Sequence, residues 1–139
     1  MITLVPLCTM TLMLGKAVDA GNTAAGQRMA AEITSATVSG RLNGGLAGAG
    51  SSDWFTVGAG GLILADVRLA IQTDDGAVVL IRYTGRLLYV PGRESVAFTA
   101  PVFETGDPRY QWLNAVQAVG KGIMSADLSR IDYELYELQ

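Results

Sequence analysis

"GGLILADVRLAIQTDDGAVVLIRYTG", residues 60–85, decides the fold. Two runs of apolar and β-branched residues flank Asp74, Asp75 and Gly76. An Asp-Gly pair between such runs marks a β-hairpin, because a two-residue type I′ turn needs positive φ at both central positions. With Asp75-Gly76 as that turn, Gln72 opposes Val79, Arg68 opposes Tyr83 and Asp66 opposes Gly85. Side chains alternate along a strand, so Ile63, Ala65, Val67, Leu69, Ile71, Val78 and Leu80 fall on one face. Asp66, Arg68, Gln72 and Tyr83 fall on the other.

That second face is mixed, since Leu62, Leu64, Val79 and Ile81 share it. Polar groups set among aliphatic ones suit a ligand cavity, where apolar walls hold the body of a molecule and a few polar groups orient it. They equally suit a half-exposed outer wall carrying an Asp66–Arg68 surface pair that contributes under about 1 kcal/mol. Both readings stand at this point.

Outward from the hairpin, the chain continues to read as strands. "MITLVPLCTMTLMLG" (1–15) is a first strand rather than a secretory leader: its start lacks Lys and Arg, and Pro6 and three Thr interrupt it. "GKAVDAGNTAAGQRMA" (15–30) reads as a surface loop, and "EITSATVSGRL" (32–42) as a strand. "NGGLAGAG" (43–50) matches no phosphate-loop spacing and reads as a flexible connection whose glycines allow a barrel corner or bring a ligand close to the main chain. "SVAFTAPVF" (95–103) is a strand in which Pro101 signals an edge or bulge. In "FETGDPRYQWLN" (103–114), Asp107 caps and Pro108 opens one helical turn reaching Trp112, at a barrel mouth, carrying Glu104 and Trp112 toward the cavity. "NAVQAVG" (114–120) and "RIDYELYEL" (130–138) complete the set, the latter alternating Ile131, Tyr133 and Leu135 against Asp132, Glu134 and Tyr136. Roughly eight short strands predict an all-β barrel or sandwich with one short helical turn.

Composition narrows the chemistry. The 139 residues (14.6 kDa) fit one domain, 1–139, and a chain near this size buries roughly 70% of its unfolded surface. A net charge of −3, with ten dispersed Lys and Arg, argues against a nucleic-acid partner. There is no histidine, so a triad of the usual type is excluded and proton transfer falls to Asp, Glu, Tyr or water. Cys8 is the one cysteine, which excludes an internal disulfide, leaves no plausible tetrahedral zinc set and reads as a buried, inert thiol. No apolar run approaches the roughly 20 residues of a membrane-spanning helix, so the expectation is a soluble, cytoplasmic protein with no membrane partner and no metal or other cofactor.

Taken in order, "GGLAGAGSSDW", "DVRLAIQTDDGAVVLIRYTG" and "FETGDPRYQWLN" followed by "VGKG" resemble domain-of-unknown-function family 3237, also called uncharacterised protein family 0311. The resemblance runs from "LVPLCTMTLMLG" to "YELYELQ". It implies a small antiparallel, calycin-like β-barrel and brings no agreed activity with it. It also shows a departure: "VPGRESVA" (90–97) stands where many members carry a longer insertion, which puts a lid from that segment in doubt.

The matching blocks gather Asp53, Trp54, Asp66, Arg68, Tyr83, Glu104, Trp112 and Asn114. Trp54 and Trp112 read first as core or mouth packing, Asp53 as a turn cap, and Asn114 as a backbone clamp; with Phe103 they are also the candidate substrate contacts. Arg68, Asp66 and Tyr83 form the candidate catalytic cluster, in which Arg68 and Tyr83 stabilise an oxyanion and Asp66 partners the guanidinium. Glu104 or Asp66 moves the proton; alternatively Glu104 is a rim carboxylate paired with Arg109. The leading expectation is a cofactor-independent isomerase, cyclase or lyase acting on a small apolar carbonyl or enol compound. A lipocalin-like binding protein without catalysis is the alternative, and an oligomer-forming structural protein a third. A homo-oligomer, dimer or larger, fits all three.

Overall fold

A computed structural model describes all 139 residues. Eleven strands form one antiparallel sheet: β1 (Leu4–Leu14), β2 (Val18–Thr23), β3 (Gly26–Gly40), β4 (Gly44–Leu46), β5 (Ser52–Val57), β6 (Leu62–Thr73), β7 (Val78–Leu88), β8 (Ser95–Thr99), β9 (Val102–Glu104), β10 (Ala118–Met124) and β11 (Arg130–Leu138). Eight of them, in the order β1-β11-β10-β8-β7-β6-β5-β3, close into a ring because β3 also pairs with β1. The short strands complete staves already present. β4 lies beside β5 between β3 and β6, β9 extends the line of β8 along β7, and β2 pairs with β3 alone. An eight-strand ring encloses just enough room for packed side chains or one small ligand. The two helical pieces are 3-10 turns, Ala59–Gly61 and Gln111–Ala115.

The hairpin that predicts the fold forms with a different turn. Thr73 N–H donates to Ala77 O (2.8 Å), Gly76 N–H to Thr73 O (2.9 Å), and Ala77 N–H to Thr73 Oγ1 (2.8 Å). Asp74, Asp75 and Gly76 therefore make a three-residue loop in which Gly76 alone takes positive φ (94°), the pattern of a turn followed by a glycine bulge. The extra residue moves the register by one: Gln72 faces Val78, Arg68 faces Arg82, Val67 faces Tyr83 and Asp66 faces Thr84. Because side chains alternate, a slip of one transfers every β7 side chain to the opposite wall. Val79, Ile81 and Tyr83 are thus inside with Val67, Leu69 and Ile71, while Asp66, Arg68 and Gln72 face out.

Two further readings are corrected. Residues 15–30 are not a loop, since β2 and the start of β3 form a hairpin held by Asp19, whose carboxylate accepts from Gly21 N–H (2.8 Å) and Gln27 Nε2 (2.8 Å). Pairing with β3 overrides the weak strand propensity of this Gly- and Ala-rich stretch. In 43–50, Gly44 admits a strand and not a ligand: a Cβ there would lie 2.2 Å from Gln72 O.

The barrel interior divides along its axis. One half is solid, filled by Leu7, Met10, Val38, Leu42, Leu69, Ile71, Val79, Ile81, Phe103, Leu113 and Leu135. "FETGDPRYQWLN" seals that end. Leu113 plugs it fully buried, while Arg109 Nη1 donates to Asp75 O (2.9 Å) and Tyr110 Oη to the Asp75 carboxylate (2.9 Å), binding the segment to the hairpin loop. The Asp107 side chain caps the preceding turn by accepting from Arg109 N–H (2.9 Å), and the 3-10 turn starts later, at Gln111. This segment lies at the end away from the cavity described next, so it does not carry Glu104 or Trp112 into it.

Candidate functional site

The other half of the barrel is hollow. A cavity of about 530 Å³ lies within a wall that is mainly aliphatic and aromatic, including Leu12, Ile33, Phe55, Val67, Leu87 and Ile131. That volume falls within the ~300–1,000 Å³ typical of small-molecule sites. Polar groups sit at two levels. Lys16, Gln27, Arg86, Asp127 and Ser129 line the more exposed rim, whereas Asp53, Tyr83 and Tyr133 line the buried interior.

Asp53 reaches the interior through strand parity. In "SSDWFTV" the inward positions are Ser51, Asp53, Phe55 and Val57, while Trp54 points outward, 56% exposed. Asp53 is only 9% exposed, and its Oδ1 accepts from Asp66 N–H (3.2 Å), leaving Oδ2 without a protein partner. Burial disfavours the ionised form and pushes its pKa up to about 6, with the Asp66 N–H and the Arg28 charge pulling the other way. At neutral pH this carboxyl exchanges a proton at little cost.

Tyr83 and Tyr133 meet edge to face, ring centroids 5.6 Å apart at 76°. Tyr133 lies against β10 because Gly122 opposes it; a Cβ on Gly122 would sit 2.6 Å from the Tyr133 ring. The two hydroxyls interact with each other, Tyr83 donating toward Tyr133, and no other protein group bonds to either; neither oxygen is sealed from the cavity. Burial raises the Tyr83 pKa well above its ordinary value and pushes Tyr133 up to about 12, and the Asp53 charge adds to both. Both phenols remain protonated at neutral pH, and the pair, bonded only to itself, keeps a hydroxyl hydrogen free for a ligand.

These three groups converge in one largely apolar space. An acidic oxygen poised near neutrality can move a proton, and two neutral phenols can donate to an oxygen that gains charge. Asp127, the other carboxylate along the cavity, is held by Ser125 Oγ (2.7 Å), Ser129 Oγ (2.7 Å) and Ser129 N–H (3.0 Å), which lower its pKa to about 2. It stays ionised at the rim.

Of the sequence candidates, Asp53 and Tyr83 come together here. Arg68 and Asp66 stand on the outer wall, exposed and without an ion pair between them, and Arg68 faces Arg82 across the strands. Glu104 is exposed opposite Leu80, and Arg109 pairs with Asp107 and Asp75 rather than with it. Phe103 is buried in the solid half, and Trp112 lies outside with the Arg41 guanidinium 4.5 Å from its ring. Asn114 clamps Thr105, accepting from its N–H (2.9 Å) and donating to its C=O (2.9 Å). Tyr133 was not among the candidates. The signals for it were a hydroxyl in an otherwise aliphatic inward row, and Gly120 and Gly122 in the strand that pairs with it.

No helix is long and apolar enough to cross a membrane. The profile of the family described as "Protein of unknown function (DUF3237)" matches residues 2–138. The UPF0311 protein of Rhodopseudomonas palustris is 32% identical over 137 residues, covering 89% of this chain and 90% of its own length. The hydroalkoxylation enzyme phnH of Penicillium herquei is 33% identical over 84 residues, 60% of this chain and 50% of that protein. Among solved structures, a beta-barrel like protein from Acinetobacter baumannii superposes with a TM-score of 0.90 at 28% identity, covering 100% of this chain and 97% of the other. An enzyme from Penicillium herquei does so with a TM-score of 0.78 at 26% identity, covering 99% and 95%.

Proposed function

This chain belongs to the DUF3237 family, and we propose that it is an enzyme that adds an O–H group across a carbon–carbon double bond of a small, largely apolar molecule, or eliminates it in reverse. The observation that carries this reading is the joint presence, in an apolar cavity, of a carboxyl poised near neutrality and a pair of phenols bonded to nothing but each other. The relative named as a hydroalkoxylation enzyme supports the reaction class.

The chemistry is simplest for a double bond conjugated to a carbonyl. Asp53 Oδ2, ionised, takes the proton of the substrate hydroxyl as that oxygen bonds to the β-carbon. The π electrons move onto the carbonyl oxygen, which receives hydrogen bonds from Tyr83 and Tyr133. The enolate then takes the proton back from Asp53 at the α-carbon, so one O–H has been added and the carboxylate is restored. Such donors contribute on the order of 10²–10³ each and a positioned base 10²–10⁴. Arg68, Asp66 and Glu104 take no part in this reading, being on the outer wall.

The test is ring closure of 2′-hydroxychalcone, whose phenol adds across its own enone, followed in D₂O. The expected result is acceleration with deuterium delivered to one face of the α-carbon, lost in Asp53→Asn. Recovery of bound but unchanged ligand from every hydroxy-enone tried would instead make the protein a carrier.

A further inference from the structure

The three polar groups occupy one level of the cavity. On β5, β7 and β11, respectively, Asp53, Tyr83 and Tyr133 are each the first cavity-lining residue beyond the solid core, next to Ser51, Ile81 and Leu135. Toward the mouth the same strands present Phe55 and Val57, Gly85 and Leu87, and Ile131. The polar groups are therefore a floor, and the shaft above them is apolar up to Leu14, Met29, Tyr89 and Met124. Just above the floor, one wall is made of small residues: Ala65 pairs with Gly85, and Ala97 lies on the adjoining strand. A Cβ on Gly85 would meet nothing closer than Phe98 O at 3.5 Å and Ala65 Cβ at 3.6 Å, so this wall is low because its side chains are small and not because neighbours crowd it.

We infer that the substrate is a flat ring compound that enters oxygen first, its ring oxygen on the Tyr83 and Tyr133 hydroxyls, its face on the Ala65–Gly85–Ala97 shelf and an apolar chain running out past Leu14, Met29, Tyr89 and Met124. A buried donor left unpaired disfavours any ligand whose leading end lacks an acceptor. An apolar shaft gives no compensation to a ligand that leads with its alkyl end and leaves its oxygen in that shaft. The shelf admits a ring where a β-branched residue would exclude it. Only the rim, with Lys16, Gln27, Arg86, Asp127 and Ser129, can meet a polar group at the trailing end.

The inference rests on Asp53, Tyr83 and Tyr133 being the reacting floor, but its test reads binding alone, so it can fail while the catalytic reading stands, and the reverse. Dissociation constants are measured for 4-hexylphenol and for the linear 1-decanol on wild type, Gly85→Val and the Tyr83→Phe, Tyr133→Phe double variant. Filling the shelf is expected to weaken 4-hexylphenol about tenfold or more and 1-decanol less than about twofold. A crystal of the wild type with a 4-(bromoalkyl)phenol then reports orientation, with the bromine signal expected between Met29 and Met124. Bromine at Asp53, or equal loss of both ligands in Gly85→Val, overturns the inference. Should Gly85→Val not fold, Ala97→Val reads the same shelf from β8.

Discussion

Asp53→Asn separates function from stability in a way that few core substitutions would. In the folded barrel the Asp53 carboxyl titrates near 6, against 3.8 for an unperturbed aspartate. Ionising it is therefore about 3 kcal/mol harder in the folded protein than in the unfolded chain. Between pH 4 and 6 the folded state holds a proton that the unfolded state has released, so stability falls as pH rises through that window. Above it the full cost persists, and below pH 4 it vanishes. Asparagine keeps the shape and the oxygen that accepts from Asp66 N–H, but carries no charge to bury. The variant is expected to match wild type near pH 4 and to exceed it by about 2–3 kcal/mol at pH 7–8, roughly 5–10 °C in Tm, while losing turnover. The assay is urea unfolding of both proteins from pH 4 to 8, taking the difference at each pH so that every other titrating group cancels. A pH-independent difference, or a variant less stable than wild type at pH 8, would refute the account of Asp53 as a carboxylate destabilised by burial. Stability held in reserve by a strained functional group is a common trade at active sites.

Other expectations follow from the same geometry. Plots of kcat/KM against pH should rise through an apparent pKa of about 6, because Asp53 must be ionised to take the first proton; a flat profile from pH 5 to 8 would remove it from that role. Tyr83→Phe and Tyr133→Phe should each change stability by no more than about 1 kcal/mol, since each hydroxyl is bonded within the protein only to the other, yet cut turnover by 10²-fold or so; the pairing of a thermal melt with a rate decides it. Arg68→Ala and Glu104→Gln should leave turnover within about twofold, as surface changes away from the cavity do, and a large loss in either would return the outer wall to the chemistry. Gly122→Ala should destabilise by about 1–3 kcal/mol through contact with the Tyr133 ring, read by denaturation and by a changed near-UV tyrosine signal.

Much of this architecture could be read from the sequence, and the misassigned wall of the candidate site was lost at one residue. The β6 parity was correct: Ile63, Ala65, Val67, Leu69 and Ile71 do form the inner row. The composition of Asp74-Asp75-Gly76 fits a two-residue turn and a three-residue turn with a bulge equally well, because both require glycine at the last position to take positive φ. What selects between them is the Thr73 hydroxyl, which accepts from Ala77 N–H and donates to Asp75 Oδ1 (2.6 Å), so a side chain rather than the Asp-Gly pair fixes the loop. That choice separated Tyr83 from Arg68 and turned a mixed wall into an apolar inner face and an Arg-bearing outer one.

Asp53 is among the candidate substrate contacts, but its place as the buried carboxyl of the cavity was obscured for a related reason. Short polar residues beside a Gly-rich stretch read as turn chemistry, and only its phase with Phe55 and Val57 places it inside. Phase alone is weak over six residues; it becomes binding once β3 and β6 pair on either side, Ala31 and Val67 both opposing Asp53 and both inward. A barrel fixes the facing of every stave from its neighbours, so one correct register propagates around the ring, and one slipped register misassigns a whole wall. The same closure explains why the interior tolerates a carboxyl at all. With all staves paired, no backbone group inside the ring competes for Asp53 except Asp66 N–H, and Oδ2 is left for a ligand.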